Sequence, residues 1–189
     1  MSPHNSPPMA HQSVLILPKP SPALEAIARE VARGAAEASN TSPPPILIAH
    51  SEENLVSVGE APLVFFGWRS DVAGARHEAK QTVAAVARLT PAPRYIAKFE
   101  ASLSGATSAA HPDDHVGDAA RLQPLAPVEP FSITSADSVS PHELERARRW
   151  GAEMVTQWRS AQLRASTETD APVTKSTVPH ALSWCGAME

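Results

Sequence analysis

Three short runs of uninterrupted apolar residues, Val14-Leu15-Ile16-Leu17, Ile46-Leu47-Ile48-Ala49 and Leu63-Val64-Phe65-Phe66-Gly67, constrain the fold more than any other feature. A strand with one wet face alternates apolar and polar residues, whereas a strand covered on both faces reads as a continuous branched run. The runs are therefore expected to be inner strands of a parallel sheet, the third of them central. The segments that follow them are helical in period. Ser21-Pro22 reads as an N-cap with proline at the first helical position, and Leu24, Ile27, Ala28, Val31 and Ala35 then share a face up to an end between Gly34 and Asn40. Pro43-Pro44-Pro45 forces an extended lead into the second run. Between Asp71 and Leu89, Ala75, Ala79, Val83, Val86 and Ala87 line one face, and Pro91 and Pro93 end the pattern.

The later half is less regular. One or two turns of helix are expected within residues 50–61. Tyr95 to Phe99 reads as a fourth strand whose alternation predicts one less buried face. Between Glu100 and Pro130 the signal fades, with a short helix expected over 114–122, and Phe131 to Thr134 reads as a weak fifth strand. Ser140 and Glu143 form a capping box around Pro141 and open a helix that carries Leu144, Ala147, Gly151, Met154, Val155 and Trp158 on its apolar face and ends near Leu163. Strands alternating with helices predict a doubly wound parallel α/β sheet of about five strands with helices on both faces. Ligands of such sheets sit beyond the carboxyl ends of the strands, here the loops after residues 17, 67 and 99.

The 189 residues suffice for one domain, expected over 13–163, between a disordered leader at 1–12 and a disordered tail at 164–189 that mixes Thr, Ser, Pro and charge. A net charge of -4 offers no basic surface to nucleic acid or to anionic lipid, so neither nucleic acid nor membrane is expected as a partner. Cys185 is the single cysteine, which excludes an internal disulfide and a paired-cysteine zinc or redox motif. With no signal-peptide core, a cytoplasmic location is expected.

The segments Val14-Leu15-Ile16-Leu17 and Leu24 to Gly34 together resemble the first βα unit of flavodoxin-like NAD(P)H:quinone oxidoreductases of the WrbA type. Leu63-Val64-Phe65-Phe66-Gly67 resembles that family's third strand, Phe99 to Gly105 its fourth strand and following loop, and Ser140 to Gly151 its closing helix. The resemblance spans about Val14 to Leu163 and implies a flavodoxin-like fold. It also implies an FMN cofactor, NAD(P)H as co-substrate and a quinone as acceptor, the hydride passing through the flavin. No catalytic residue is assigned by it. Oligomerisation is possible by analogy, although the stretch from Ala106 to Pro130, which in the family builds the quinone site and subunit contacts, is shortened and rewritten.

Carried onto this sequence, the implied cofactor-binding residues are Lys19, Ser21, Trp68, Arg69, Ser70, Ser102, Ser104 and Gly105. A phosphate-binding loop needs free backbone N–H groups at a helix start. Pro18-Lys19-Pro20-Ser21-Pro22 has no glycine, and each of its prolines removes a donor, so Ser21 reads either as a phosphate ligand beside Lys19 or simply as the helix N-cap. Trp68 can stack on a flavin ring beside Arg69, or cover the sheet edge. Ser102, Ser104 and Gly105 can donate to a flavin rim or form an ordinary loop.

His111-Pro112-Asp113-Asp114-His115 gathers metal-ligand types, but reads equally as an acidic helix start, and His50 is a lone histidine near the ligand edge. Nucleophile-elbow, Walker and Rossmann glycine motifs are all missing from the sequence. Two functions follow from this reading. One is an FMN-dependent quinone reductase; the other is a flavodoxin-like frame that has lost FMN and serves as a non-enzymatic interaction module.

Overall fold

The computed structural model describes residues 13–40, 46–49, 58, 61–89, 95–104 and 122–169. The expected leader, residues 114–121 of the expected short helix, the His111–His115 group, His50, Gly105, Cys185 and the chain from 170 onward lie outside the described residues. The strands are β1 (Val14–Leu17), β2 (Ile46–Ala49), β3 (Leu63–Arg69), β4 (Tyr95–Leu103), β5 (Gln123–Pro124) and β6 (Glu129–Ile133). The helices are α1 (Pro22–Ser39), α2 (Ala75–Val86) and α3 (Pro141–Thr169).

Every strand pair is parallel, in the order β2-β1-β3-β4, and the last position is shared by β5 and β6. β5 pairs Tyr95 and Ile96 of β4, and β6 pairs Phe99 to Leu103, so one edge position is filled by two short strands. The order reverses between β1 and β3, which places the ligand crevice of a doubly wound sheet over the ends of these strands.

The first and third of the continuous apolar runs are buried on both faces, as their lack of alternation predicts: every residue of β1 and β3 is buried. On one face α1 and α3 cover Leu15, Leu17, Phe65, Phe99 and Phe131; on the other α2 covers Val14, Ile16, Val64, Phe66 and Ile96. Trp150 of α3 stands edge-on to Phe65, Phe99 and Phe131, with ring centroids 6.0, 5.7 and 6.2 Å away. Such edge-to-face pairs place ring hydrogens on π-faces and add to burial.

Four sequence expectations are altered. β4 runs to Leu103, not Phe99, and neither face of its first seven residues is open, since Lys98 and Glu100 are 8% and 2% exposed. The charged residues at alternate positions therefore lie on the buried α2 side of the sheet. The second helix starts at Ala75, not Asp71, because Gly74 takes the left-handed conformation at φ 78° and the residues before it form a loop. α3 continues past Leu163 to Thr169. Its polar residues there bond back to the helix, Ser166 Oγ to the Gln162 carbonyl at 3.1 Å and Thr167 Oγ1 to the Arg164 carbonyl at 2.8 Å. The capping box is half formed. Ser140 Oγ accepts from the Glu143 N–H at 3.3 Å, while the Glu143 carboxylate accepts from the Ser132 N–H of β6 at 2.9 Å and so ties the helix start to the sheet edge.

Candidate functional site

The carboxyl ends of β1, β3 and β4 converge on residues 18–21, 69–74 and 103–104, and the site is built from what these segments hold. At the start of α1 the sequence removes one donor, since Pro22 has no N–H, and the fold engages the next three. The Ala23 N–H donates to the Ala136 carbonyl at 3.1 Å, the Leu24 N–H to Ser21 Oγ at 3.3 Å and the Glu25 N–H to the Ser21 carbonyl at 2.8 Å. The first turn of α1 is thus closed by its own cap and by the loop after β6. Ser21 is the N-cap that its position before proline predicts.

Arg69, the last residue of β3, lies on the same side. Its Nε and Nη2 donate to the two carboxylate oxygens of Asp71 at 2.6 Å each, a bidentate fork. Nη1 is 3.5 Å from Ser21 Oγ, at the outer limit of a hydrogen bond. The two charged side chains are nearly covered, 9% and 10% exposed. The Arg69 hydrogen bond holds the Asp71 carboxyl below its ordinary 3.8, against the opposing effect of burial and with help from the N–H groups of Asp71 and Leu103. A carboxyl lowered by folding stabilises the native state above its unfolded pKa, and that stability is lost as pH falls through the folded value. Acidification below about pH 4 is therefore expected to narrow the gap in melting temperature between the parent and an Asp71→Asn variant. A gap that stays constant from pH 6 to pH 3 in calorimetry would contradict this.

Of the other expected ligands, Lys19 is exposed and paired with Glu78 of α2. Trp68 is 3% exposed and packs at 6.0 Å on Phe66 in the α2-side core, so it covers the sheet and offers no stacking face. Among the described residues, its indole N–H and the Ser70 hydroxyl are buried without a hydrogen-bond partner. The Ser70 N–H donates to the Ala101 carbonyl at 3.0 Å, locking the β3 loop to β4. Ser102 belongs to β4, opposite Ser132 of β6, and is not a loop residue. Ser104 gives both its N–H and its hydroxyl to the Ile133 carbonyl, at 2.9 and 3.2 Å. The structure thus brings Ser21 and Arg69 together, commits Lys19 and Ser104 elsewhere, and buries Trp68.

Asp71 is the participant that sequence reasoning missed. An acidic residue two positions after an arginine in a loop has no distinctive pattern, and only the fork geometry marks it. Among the described residues the groups at this edge do not fit the phosphate of FMN: the helix-start donors are used and the Arg69 guanidinium carries an internal carboxylate. Among the described residues no group of three or more metal-ligand side chains occurs, and no helix is long and apolar enough to cross a membrane.

No protein-family model matches the chain, and no curated protein matches it by sequence. Solved structures do match in three dimensions. The Flv1 flavodiiron core from Synechocystis superposes with a TM-score of 0.57 at 16% identity over 80% of this chain, which spans only 37% of that protein. A flavodoxin from the domain Archaea gives 0.52 at 13% identity, covering 78% of this chain and 99% of that one. A diflavin flavoprotein A3 from Nostoc sp. gives 0.53 at 11% identity, covering 82% and 99%. At these identities the likeness concerns the backbone, and together with the strand order 2-1-3-4-5 it shows that this chain has a flavodoxin-like α/β fold.

Proposed function

We propose that this chain is a flavodoxin-like domain that has given up FMN and acts as a non-enzymatic interaction module. The observation that carries the reading is the closed phosphate end: α1's first-turn N–H groups and the Arg69 guanidinium are all bonded within the chain. Two of the large apolar side chains exposed among the described residues, Val72 and Leu103, stand at the ends of β3 and β4 and leave this edge partly apolar. An edge of that kind suits contact with a partner surface more than capture of a phosphorylated cofactor.

The experiment is a titration of the purified protein with FMN, read by flavin fluorescence and by melting temperature. A ligand that binds only the native state at a hundred times its Kd raises stability by about 2.7 kcal/mol, which is readily seen. No quenching and no shift at micromolar FMN is the expected result. Saturable quenching with a yellow protein would overturn it.

A second reading is that of an FMN-dependent NAD(P)H:quinone oxidoreductase. It is favoured by the sequence resemblance of the first βα unit and the closing helix, and by the flavoprotein character of the proteins with similar structures. The same titration decides between the two, since that activity requires the flavin.

A further inference from the structure

Arg69 holds Asp71 as it would hold an external anion. The Asp71 carboxylate accepts two hydrogen bonds from Arg69, one on each oxygen, at 2.6 Å. The pair lies at the end of β3 and in the loop after it, and Arg69 Nη1 stands 3.5 Å from the Ser21 hydroxyl at the start of α1. A buried guanidinium is a group that proteins use for phosphate and carboxylate ligands, because charge-assisted bonds strengthen where water is excluded. Here the anion is supplied by the chain.

We propose that Asp71 is the residue that decides this domain's ligand specificity against phosphate: its carboxylate occupies Arg69 from within and closes an anion site that Arg69 and Ser21 otherwise form. The inference rests on the reading that the parent does not bind FMN and names the residue responsible. A second anion arriving at Arg69 meets the like charge of Asp71 a few ångströms away in a poorly hydrated place, and that repulsion is strong there. Removing the carboxylate removes the repulsion and leaves the guanidinium buried without its counter-ion, which favours uptake of an external one. The chemistry is that of a phosphate dianion, whether free or carried on a larger molecule. Inorganic phosphate, FMN and riboflavin separate these cases.

The test uses the full chain with Asp71→Ser, which vacates the position, and Asp71→Asn, which keeps the shape and removes only the charge. Each is titrated with inorganic phosphate at constant ionic strength, with melting temperature and heat of binding as readouts. Asp71→Ser is expected to bind phosphate at least about tenfold more tightly than the parent, and adding Arg69→Gln is expected to abolish the gain. A response to FMN but not to riboflavin then shows that the phosphate group is what is recognised. Folded Asp71→Ser and Asp71→Asn proteins that ignore phosphate overturn the inference while leaving the flavin-free reading intact. FMN binding by the parent overturns the flavin-free reading, and with it the inference. If neither variant folds, Asp71 is a structural support only and the inference is overturned.

Discussion

Replacing Trp150 with alanine is expected to lower the unfolding free energy by about 3–5 kcal/mol, the range for removing a large aromatic from a packed core. The indole is 6% exposed and sits against three phenylalanine rings, Phe65 from β3, Phe99 from β4 and Phe131 from β6. It is therefore the side chain through which α3 meets the aromatic rings of the sheet. Arg146, one turn earlier, lies 4.4 Å from the Phe131 ring centroid and bonds Glu143 and Glu129, so the helix is also held at its first turns. Those half-exposed ion pairs contribute less than the aromatic cluster because water and salt screen them. Against a total stability of about 5–15 kcal/mol, the loss is a large fraction of what holds the domain folded. Urea denaturation of Trp150→Ala measures it, and Trp150→Phe is expected to recover much of the difference. A loss below about 1 kcal/mol would mean that α3 docks by other contacts.

The frame was legible in the sequence because its signals are local. Uninterrupted branched runs marked β1, β2 and β3, and Ser21-Pro22 marked the start of α1, where the structure places its N-cap. Ser140 likewise caps α3 through the Glu143 N–H. Harder to read were elements whose status depends on what lies beside them in space. β5 is two residues long and owes its existence to pairing with β4. Lys98 and Glu100 alternate with apolar neighbours and so mimic a wet face, yet both are buried. At the candidate site the placement of two residues was legible, and their partners were not. Arg69 and Ser21 do meet at the expected edge, but Asp71 changes what Arg69 has left to offer. Trp68 is the converse case: an aromatic at a strand end reads equally as a stacking platform or as core, and the α2 side of the sheet takes it as core. A strand residue's parity assigns a face, but only the packing of the helices says whether that face is open.

Alanine at Gly34 or Gly151 is expected to destabilise the domain, although the same change in a free helix is stabilising by about 1 kcal/mol. The two glycines lie on α1 and α3 where the helices cross. A Cβ at position 34 would stand 1.8 Å from the Arg148 carbonyl oxygen, and one at 151 would stand 2.2 Å from that of Val31. Both obstacles are helix backbone and cannot rotate aside, so the helices themselves must separate. Inserting an extra methyl into a tight core costs about 1–3 kcal/mol, and both sites are expected near the upper end because the separation also strips contacts from Val31, Ala147 and Met154 along the shared core. Since one separation accommodates either methyl, the double variant is expected to lose less than the sum of the two single losses, a coupling characteristic of neighbours that share one displacement. Arg33→Ala, on the exposed side of α1, removes only exposed ion pairs with Glu30 and Glu37 and is expected to change stability by no more than about 0.5 kcal/mol. Chemical denaturation of these variants tests the crossing directly. Stabilisation by Gly34→Ala or strict additivity of the pair would show that α1 and α3 do not approach at these two residues.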